Sequence, residues 1–298
     1  MGNNSIQIQS VIFENEKKSL KKAMDALANS IDVCRKNNGE LTKFVLYYGD
    51  ASDISVYDEI EIEEIKKEYE NYFEFKYKVF GYNAGSANGQ TVLGLESDSD
   101  YLLLMNPDVM VSPNFFVEIV KPFSDESVGM TEGRQCPIEH HKDYDSSTGE
   151  EDWCTGACSV IRTSLFKELG GYDYKSFFLY CDDVDLSWRV RKEGYKIIYV
   201  PAAFVYHAKR LTSDAGWIPT KAEIYYSAEA SLMMAYKWNN NDRVVTLCNR
   251  FRNGSEVERK VLSEFERKRG NNELPQQIKD NKVASFNGEY YSENRFVI

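Results

Sequence analysis

Three carboxylates lie within four consecutive positions, at Asp182, Asp183 and Asp185. Carboxylates this close raise one another's pKa, which suits a general base that must accept a proton near neutral pH. The same residues also suit the first turn of a helix, with Asp182 as the N-cap and Asp185 at the positive end of the helix dipole. The sequence therefore leaves a catalytic and a structural interpretation open for this cluster.

A second polar cluster, Asn106-Pro107-Asp108, follows the apolar run at residues 101–105. Proline removes an N–H donor and keeps the preceding residue out of helical geometry, so the chain must leave the sheet here. If it stays extended, Asn106 and Asp108 point the same way and could meet a divalent cation that carries a diphosphate. Ordinary turn chemistry is the alternative. His207 follows a later strand, and we expect it to be a metal ligand only if it converges with Asp108.

Glycines at positions 81, 85 and 89 punctuate a third polar segment. Their spacing fits neither the phosphate-binding loop that ends in Gly-Lys-Ser/Thr nor the GxGxxG dinucleotide loop. A helix that begins here could offer backbone N–H groups to a phosphate. Close packing of a helix on a sheet explains the same glycines equally well.

The elements that position these residues alternate in the first half of the chain. Apolar patterns predict strands at residues 6–13, 43–48, 73–79 and 101–105, separated by helices near residues 20–34 and 58–70. This alternation predicts an α/β fold with a doubly wound, mostly parallel sheet. In such sheets ligands bind outside the carboxyl ends of the strands, where both polar clusters fall.

The second half of the chain has a different texture. We expect a long polar loop at 132–153, strands at 155–162 and 196–200, and helices at 164–169 and 182–192. Beyond residue 239 the chain turns charged, which predicts a helical appendage with a loosely ordered tail and no site of its own. We therefore predict a catalytic domain at residues 1–239 and a C-terminal appendage at 240–298.

Composition excludes several classes of protein. The chain has 298 residues, 42% hydrophobic and 28% charged, with a net charge of −11. That balance argues against disorder and against broad binding to nucleic acid, which needs a basic face. No run approaches the ~20 apolar residues of a membrane-spanning helix, and the N-terminus lacks a secretory signal. The six cysteines show no zinc spacing, so we expect reduced thiols and a cytoplasmic protein.

Taken together and in order, these segments resemble the family 2 glycosyltransferases, particularly the bacterial rhamnosyltransferase-like branch. The resemblance covers roughly residues 5–210. The matching stretches are NAGSANG at 83–89, YLLLMNPDV at 101–109, TGAC at 155–158, GGYD at 170–173, FLYCDDVDL at 178–186, and YVP at 199–201 through His207.

The resemblance implies the type A glycosyltransferase fold, a nucleotide-sugar donor and a single inverting displacement. It implies that Asp183 is the base, and that Asp108 and His207 hold Mg or Mn against the donor diphosphate. It also implies two groups of binding residues. The donor side comprises Glu14, Asp50, Asn83, Gly85, Asn88, Asn106 and Asp108, and the acceptor side comprises Trp153, Thr155, Gly156, Ala157 and Asp182.

Two positions depart from the family pattern. Asn106 stands where the Asp-x-Asp motif has its first aspartate, which leaves open how strictly the reaction depends on a metal. Asp182 stands where the family has glutamate, so the carboxylate before the base is one methylene shorter.

The partners implied are a UDP- or dTDP-sugar, with rhamnose, galactose, galactofuranose or glucose as the sugar, and a glycan or lipid-linked glycan acceptor. Such a reaction would belong to the synthesis of a bacterial cell-surface polysaccharide. No nucleic-acid partner is expected. The sequence leaves open peripheral contact with the inner face of the membrane and homo-oligomerisation through the C-terminal segment.

Two other functions compete with this one. A sugar nucleotidyltransferase also uses a doubly wound sheet, but it is expected to carry a basic, glycine-rich loop after the first strand, and residues 13–16 are Phe-Glu-Asn-Glu. A non-catalytic partner subunit of a polysaccharide assembly complex would not need Asp108, Asp183 and His207 together.

Overall fold

The computed structural model describes residues 4–37, 39–139, 143–208, 219–287 and 291–292. Within them the backbone forms eight strands and nine α-helices. The strands are β1 (Ser5–Ile12), β2 (Lys43–Asp50), β3 (Glu74–Val79), β4 (Tyr101–Met105), β5 (Val109–Val111), β6 (Val128–Cys136), β7 (Cys158–Arg162) and β8 (Lys196–His207). The helices are α1 (Lys17–Lys36), α2 (Glu59–Glu68), α3 (Gly85–Leu95), α4 (Phe115–Glu118), α5 (Thr163–Glu168), α6 (Asp182–Lys192), α7 (Lys221–Lys237), α8 (Asn241–Arg252) and α9 (Glu256–Gly270).

One mixed sheet joins all eight of these strands, in the order β3-β2-β1-β4-β7-β6-β8-β5. The first four strands are parallel, as the alternation of strands and helices predicts. β7 is antiparallel to β4 and to β6, whereas β8 is parallel to β6. The fold is therefore the predicted α/β fold with a mostly parallel sheet, and β1 and β4 lie at its topological switch point.

The core follows from the apolar periods in the sequence. Along α1, Leu20, Met24, Leu27, Ile31 and Cys34 are all buried and pack on β1 and β2. β4 is buried on both faces from Leu102 to Met105, as a central strand between two helix layers requires. The structure thus confirms the helix predicted near residues 20–34 and the strand predicted at 101–105. In each element the period of the apolar residues matches the face or faces that are buried.

The predicted polar loop at 132–153 is wrong at its N-terminal end, since β6 continues to Cys136. Glu132 and Gln135 are buried polar residues of this strand, at 1% and 4% exposure. Each accepts a hydrogen bond, Glu132 from the Thr155 N–H and Gln135 from the His207 ring. These polar residues therefore make buried hydrogen bonds within a strand and do not indicate a loop. The loop histidines at 140 and 141 lie outside the described residues.

β8 is longer than the predicted strand at 196–200. Pro201 has no N–H to donate to a neighbouring strand, and the pairing with β6 shifts from Gly133↔Val200 to Arg134↔Phe204. After this bulge β8 resumes and pairs with the three-residue β5, with His207 opposite Val109. Because β8 continues past the bulge, His207 lies beside β5, which begins one residue after Asp108.

The C-terminal helices form two apolar clusters. One side of α7 packs through Met233 and Met234 against Trp153 and Trp188, which belong to the predicted catalytic domain. The other side packs through Leu232 on α8 and α9, whose core residues are Val244, Leu247, Phe251, Val261, Leu262 and Phe265. α7 thus contacts both units, and the division at residue 239 stays a prediction. In the part of the chain that the structure describes, no helix combines the length and apolarity needed to cross a membrane.

Candidate active site

Polar residues gather where β1, β2 and β4 end, along the carboxyl edge of the parallel strands. Asp50 is the last residue of β2, Asn106 follows β4, and Glu14 follows β1. The Glu14 N–H donates to Ser52 Oγ at 2.8 Å, which ties the loop after β1 to the loop after β2. Glu14 adopts a φ of +53°, a strained conformation that the loop holds in place. The predicted donor residues Glu14 and Asp50 therefore lie on neighbouring loops.

Asp50 is fully buried and its carboxylate is engaged by the chain itself. It accepts hydrogen bonds from the Ser52 N–H at 2.9 Å, the Val56 N–H at 2.6 Å and the Tyr77 hydroxyl. Burial alone would raise the pKa of Asp50, but these hydrogen bonds outweigh burial and lower its pKa. Asp50 thus fixes the loop at 52–56 as an ionised carboxylate.

The glycine-containing segment begins α3. Gly85 has a φ of +65°, and its N–H donates to Asn83 Oδ1 at 3.1 Å. Asn88 donates from Nδ2 to the Tyr82 hydroxyl at 3.2 Å. Asn83 and Asn88 therefore form hydrogen bonds within their own segment. Gly85 faces the ring of Phe178, so the segment touches the chain that leads into α6.

Asp108 and His207 converge, as metal ligation requires. His207 Nε2 lies 3.4 Å from Asp108 Oδ1, and the Ala208 N–H donates to the Asp108 carbonyl at 3.2 Å. The His207 side chain is 4% exposed, so its position is fixed by packing. The Asp108 side chain is 38% exposed and is accessible at the edge of the sheet. His207 Nδ1 lies 3.1 Å from Gln135 Oε1. A carboxylate oxygen and an imidazole nitrogen with a hydrogen-bonded second nitrogen fit a divalent cation such as Mn²⁺.

The segment from Thr155 to Ala157 connects this pair to α6. The Ala157 carbonyl accepts from the Asn106 N–H at 2.9 Å, and the Gly156 N–H donates to Asp183 Oδ2 at 2.8 Å. A Cβ on Gly156 would lie 3.4 Å from the Asp183 Cβ, so the segment is in van der Waals contact with Asp183. The predicted acceptor-side segment therefore lies between Asn106 and the predicted base.

Asp183 stands in the first turn of α6 with a defined orientation. Its Oδ1 accepts from the Val184 N–H at 2.8 Å, and Oδ2 accepts from Gly156. Tyr180 and Cys181, which precede the helix, both have left-handed backbone angles, with φ of +68° and +57°. Strained backbone immediately before a positioned carboxylate is characteristic of functional sites.

Asp182 differs from Asp183 in its environment. Burial and the neighbouring Asp183 charge raise the pKa of Asp182 well above its usual range. Because α6 begins at Asp182, this residue is not the N-cap; Cys181 is. The raised pKa favours the protonated form of Asp182 beside Asp183.

Asp185 serves the fold. It is fully buried, accepts from Arg189 Nε at 2.8 Å and from Trp238 Nε1 at 3.0 Å, and pairs with Lys237 Nζ at 2.6 Å. These contacts join α6 to the C-terminal end of α7. Removal of one partner of such a buried network costs about 3–5 kcal/mol, because it leaves an uncompensated charge.

A cavity of about 970 Å³ opens next to Asp183. Asp183, and neither Asp182 nor Asp185, is among the described residues that line it. Trp153, a predicted acceptor-side residue, forms part of its wall, and α7, α8 and α9 contribute the opposite wall. The sequence did not reveal this contribution, because amphipathic helices show which face they bury and not where they dock.

Other residues of the site also escaped the sequence analysis. Gln135 and Glu132 lie in a stretch predicted as a loop, and β6 is buried continuously from Val128 to Gly133, so no alternating pattern marked it as a strand. Glu132, Glu151 and Cys154 bring potential ligand atoms within 4.8 Å of one another in the interior. Since the Thr155 N–H donates to Glu132, this cluster supports the acceptor-side segment.

Comparison with known proteins finds similarity to glycosyltransferases. Residues 134–221 match the model of the "Glycosyltransferase like family 2". The N-acetylglucosaminyl-diphospho-decaprenol L-rhamnosyltransferase of Mycobacterium tuberculosis is 44% identical over 57 residues, 19% of this chain and 18% of that protein. Rhamnosyltransferase WbbL of Escherichia coli is 26% identical over 141 residues, 37% of this chain and 53% of that protein. The matches therefore span less than two thirds of either relative.

Solved structures share the fold over most of the chain. GalNAc-T7, solved with UDP, GalNAc and Mn²⁺, superposes with a TM-score of 0.61 and 15% identity, over 91% of this chain and 55% of that one. The mannosyltransferase PcManGT of Pyrobaculum calidifontis, in complex with GDP-Man and Mn²⁺, gives a TM-score of 0.54 and 14% identity, over 88% of this chain and 79% of that one. This chain is therefore similar to the family 2 glycosyltransferases over residues 134–221, and it shares its overall fold with solved glycosyltransferase structures.

Proposed function

We propose that this protein is an inverting glycosyltransferase that moves a sugar from a UDP- or dTDP-sugar to a hydroxyl of a glycan or lipid-linked glycan. Rhamnose is the first choice of sugar, because both relatives carry the name rhamnosyltransferase; galactose, galactofuranose and glucose are the others. The mycobacterial relative's name suggests an acceptor that ends in N-acetylglucosamine. We place the reaction in cell-surface polysaccharide synthesis, in the cytoplasm.

The observation that carries the proposal is the short link at Gly156 and Ala157. It hydrogen bonds to Asn106 on one side and to Asp183 on the other. Asn106 is two residues from Asp108, which lies beside His207. A leaving-group site and a base are thus held on one rigid connection, which supports an in-line displacement between them.

In the proposed reaction Asp183 accepts the proton of the acceptor hydroxyl. The hydroxyl oxygen forms a bond to the anomeric carbon, while the bond from that carbon to the diphosphate oxygen breaks. The electron pair leaves with the nucleoside diphosphate, and the configuration at the anomeric carbon inverts. The Gly156 N–H holds the carboxylate orientation, and protonated Asp182 spares Asp183 a second negative neighbour.

Asp108 and His207 would hold the divalent cation, Mg or Mn. When bound, such a cation stabilises the negative charge that develops on the leaving diphosphate. The contact of His207 Nδ1 with Gln135 leaves Nε2 directed toward Asp108, where an unprotonated nitrogen can act as a ligand. Asn106 contributes a neutral amide in place of a second carboxylate.

A melting experiment with the metal and nucleotide tests the donor site. We expect UDP or dTDP with Mn²⁺ to stabilise the protein by roughly 2.7 kcal/mol at 100 times the dissociation constant. Asp108→Ala should abolish the metal-dependent part, whereas Asp98→Ala, at an exposed carboxylate after α3, should leave it unchanged. Unchanged metal dependence in Asp108→Ala would place the diphosphate elsewhere.

Product analysis separates the competing functions. A glycosyltransferase with an intact base slowly releases UDP or dTDP from the nucleotide sugar even without an acceptor. A nucleotidyltransferase releases pyrophosphate from a nucleoside triphosphate, and a non-catalytic partner subunit releases neither.

A further inference from the structure

The 970 Å³ cavity beside Asp183 is larger than an acceptor hydroxyl requires. Its volume is near the top of the range of about 300–1,000 Å³ for small-molecule sites. It lies between the catalytic residues and the C-terminal helices, and junctions of this kind are common ligand sites. The cavity therefore has room for several groups of the acceptor.

The charges around the cavity disfavour an anion. Among the described residues that line it are four carboxylates but only two guanidinium groups, those of Arg243 and Arg250. Arg250 Nε lies 3.6 Å from Glu258 Oε1, and the Arg243 guanidinium lies over the rings of Phe286 and Tyr291, at 5.2 and 5.8 Å from their centres. Both cations are thus already engaged with the chain, and the lining is acidic on balance.

The N-termini of α7 and α9, two of the helices at the cavity, are capped by the chain itself. α7 begins with a capping box in which Thr220 and Glu223 accept each other's backbone N–H groups. α9 begins with the same arrangement between Ser255 and Glu258. N–H groups that would otherwise attract a phosphate therefore have partners within the chain.

What remains exposed to the cavity suits sugar. Serine and threonine hydroxyls line it from α7 and α8, at Ser227, Ser231 and Thr246. The hydroxyls of Ser231 and Thr246 donate to backbone carbonyls of their own helices, and their oxygen lone pairs can still accept from a sugar hydroxyl. The rings of Trp153, Tyr180 and Tyr291 add apolar surface with a polar tip. Sugars present hydroxyls at their edges and apolar C–H groups on their faces, so this mixture matches a neutral saccharide.

We infer that the cavity binds a neutral acceptor saccharide of more than one ring, and that α7 and α8 select that acceptor. The inference rests on the proposed function, because it assigns the sugar next to Asp183 as the nucleophile. A diphosphate that links the saccharide to a lipid would then lie outside the cavity. Thr246 and Ser227 become specificity-determining residues, on α8 and α7.

Thr246→Trp fills the cavity and Val245→Trp provides the matched control. Both residues are exposed on α8, but Val245 does not belong to the cavity lining. Binding is measured by saturation-transfer NMR with cellobiose, lactose, maltotriose and di-N-acetylchitobiose, and with an N-acetylglucosamine 1-diphosphate alkyl ester. We expect the wild type to bind at least one neutral saccharide, about tenfold or more weakly after Thr246→Trp and within about twofold after Val245→Trp.

Each outcome decides the inference. Nucleoside diphosphate release by the wild type without acceptor reports the proposed function separately, and circular dichroism with thermal melting shows whether both variants fold. Neutral saccharides that bind and respond to Thr246→Trp support the inference. Binding of the diphosphate ester alone, no saccharide binding in an active wild type, or equal loss in both variants overturns it. If the wild type releases no nucleoside diphosphate, the result contradicts the proposed glycosyltransferase function instead.

Discussion

The three carboxylates at the start of α6 have three different environments. Asp183 lines the cavity and is oriented by the Gly156 N–H. Asp182 holds a proton, because burial and the Asp183 charge raise its pKa. Asp185 is neutralised by Lys237 and Arg189 in the interior. One helical turn thus provides the proposed base, a carboxyl group with a raised pKa and a structural anchor.

Asp182→Asn should therefore stabilise the protein at neutral and alkaline pH. The folded-state pKa of Asp182 lies above the ordinary value of 3.8, so the folded state binds more protons and stability falls as pH rises from that value to the raised one. Asparagine does not titrate, so Asp182→Asn removes this loss in the free energy of unfolding. The loss reaches up to about 1.4 kcal/mol per pH unit between the two pKa values. Urea unfolding of both proteins between pH 4 and 9 measures it, and transfer at pH 7 should fall only a few-fold.

An identical pH dependence in the two proteins would contradict the assignment of the proton to Asp182. The Asp183→Asn protein is the useful comparison, since removal of the other charge should also lower the pKa of Asp182.

At the residue scale, the sequence supplied the spacing and not the partners. An interval of three positions places Asp182 and Asp185 on nearly the same helical face, with Asp183 displaced from them, which agrees with the cavity lining. The partners that Asp185 finds on α7 and directly after it could not be predicted. Trp238 lies 53 residues further along the chain, and its contact depends on how α7 docks.

At the scale of elements, the start of α3 depends on glycine. Gly85 has a φ of +65°, and a Cβ there would lie 2.7 Å from the Phe178 ring. Gly81 has a φ of +76°, but a Cβ there would meet no atom within 4 Å. A substitution at Gly81 therefore introduces backbone strain alone, whereas a substitution at Gly85 adds a steric conflict with Phe178.

Gly81→Ala should cost only the strain of a left-handed residue, about 1–2 kcal/mol. Gly85→Ala should add displacement of Phe178 and of the first turn of α3, so we expect weaker binding of UDP or dTDP as well as lower stability. Thermal melting with and without nucleotide compares the two. An equal nucleotide-dependent shift in both variants would remove Gly85 from the proposed donor site.

The elements show why some of the fold was predictable and some was not. The first four strands and α6 follow from local periodicity, and the observed α6 has the predicted bounds. β5 has three residues, too few for any period to appear. The extension of β8 past Pro201 depends on a bulge against β6, and only pairing in three dimensions brings His207 opposite Val109.

At the scale of the whole molecule, the C-terminal helices have a role that the sequence did not suggest. Their charged composition predicted an appendage without a site, whereas they form one wall of the cavity next to Asp183. Their own core around Phe251 and Phe265 is local to α7, α8 and α9. Docking of α7 through Trp238 on Asp185 then places that wall opposite the catalytic residues.

The central claim is that Asp183 is the base of a sugar transfer, and Asp183→Asn tests it most directly. Asparagine keeps the shape of the side chain and removes its basicity. Release of nucleoside diphosphate from the nucleotide sugar, with acceptor present, should fall by about 100-fold or more, while nucleotide affinity barely changes. Asp182→Asn, at the neighbouring position, serves as the control, and its activity should fall only a few-fold. Near-normal transfer by a correctly folded Asp183→Asn protein would contradict the account.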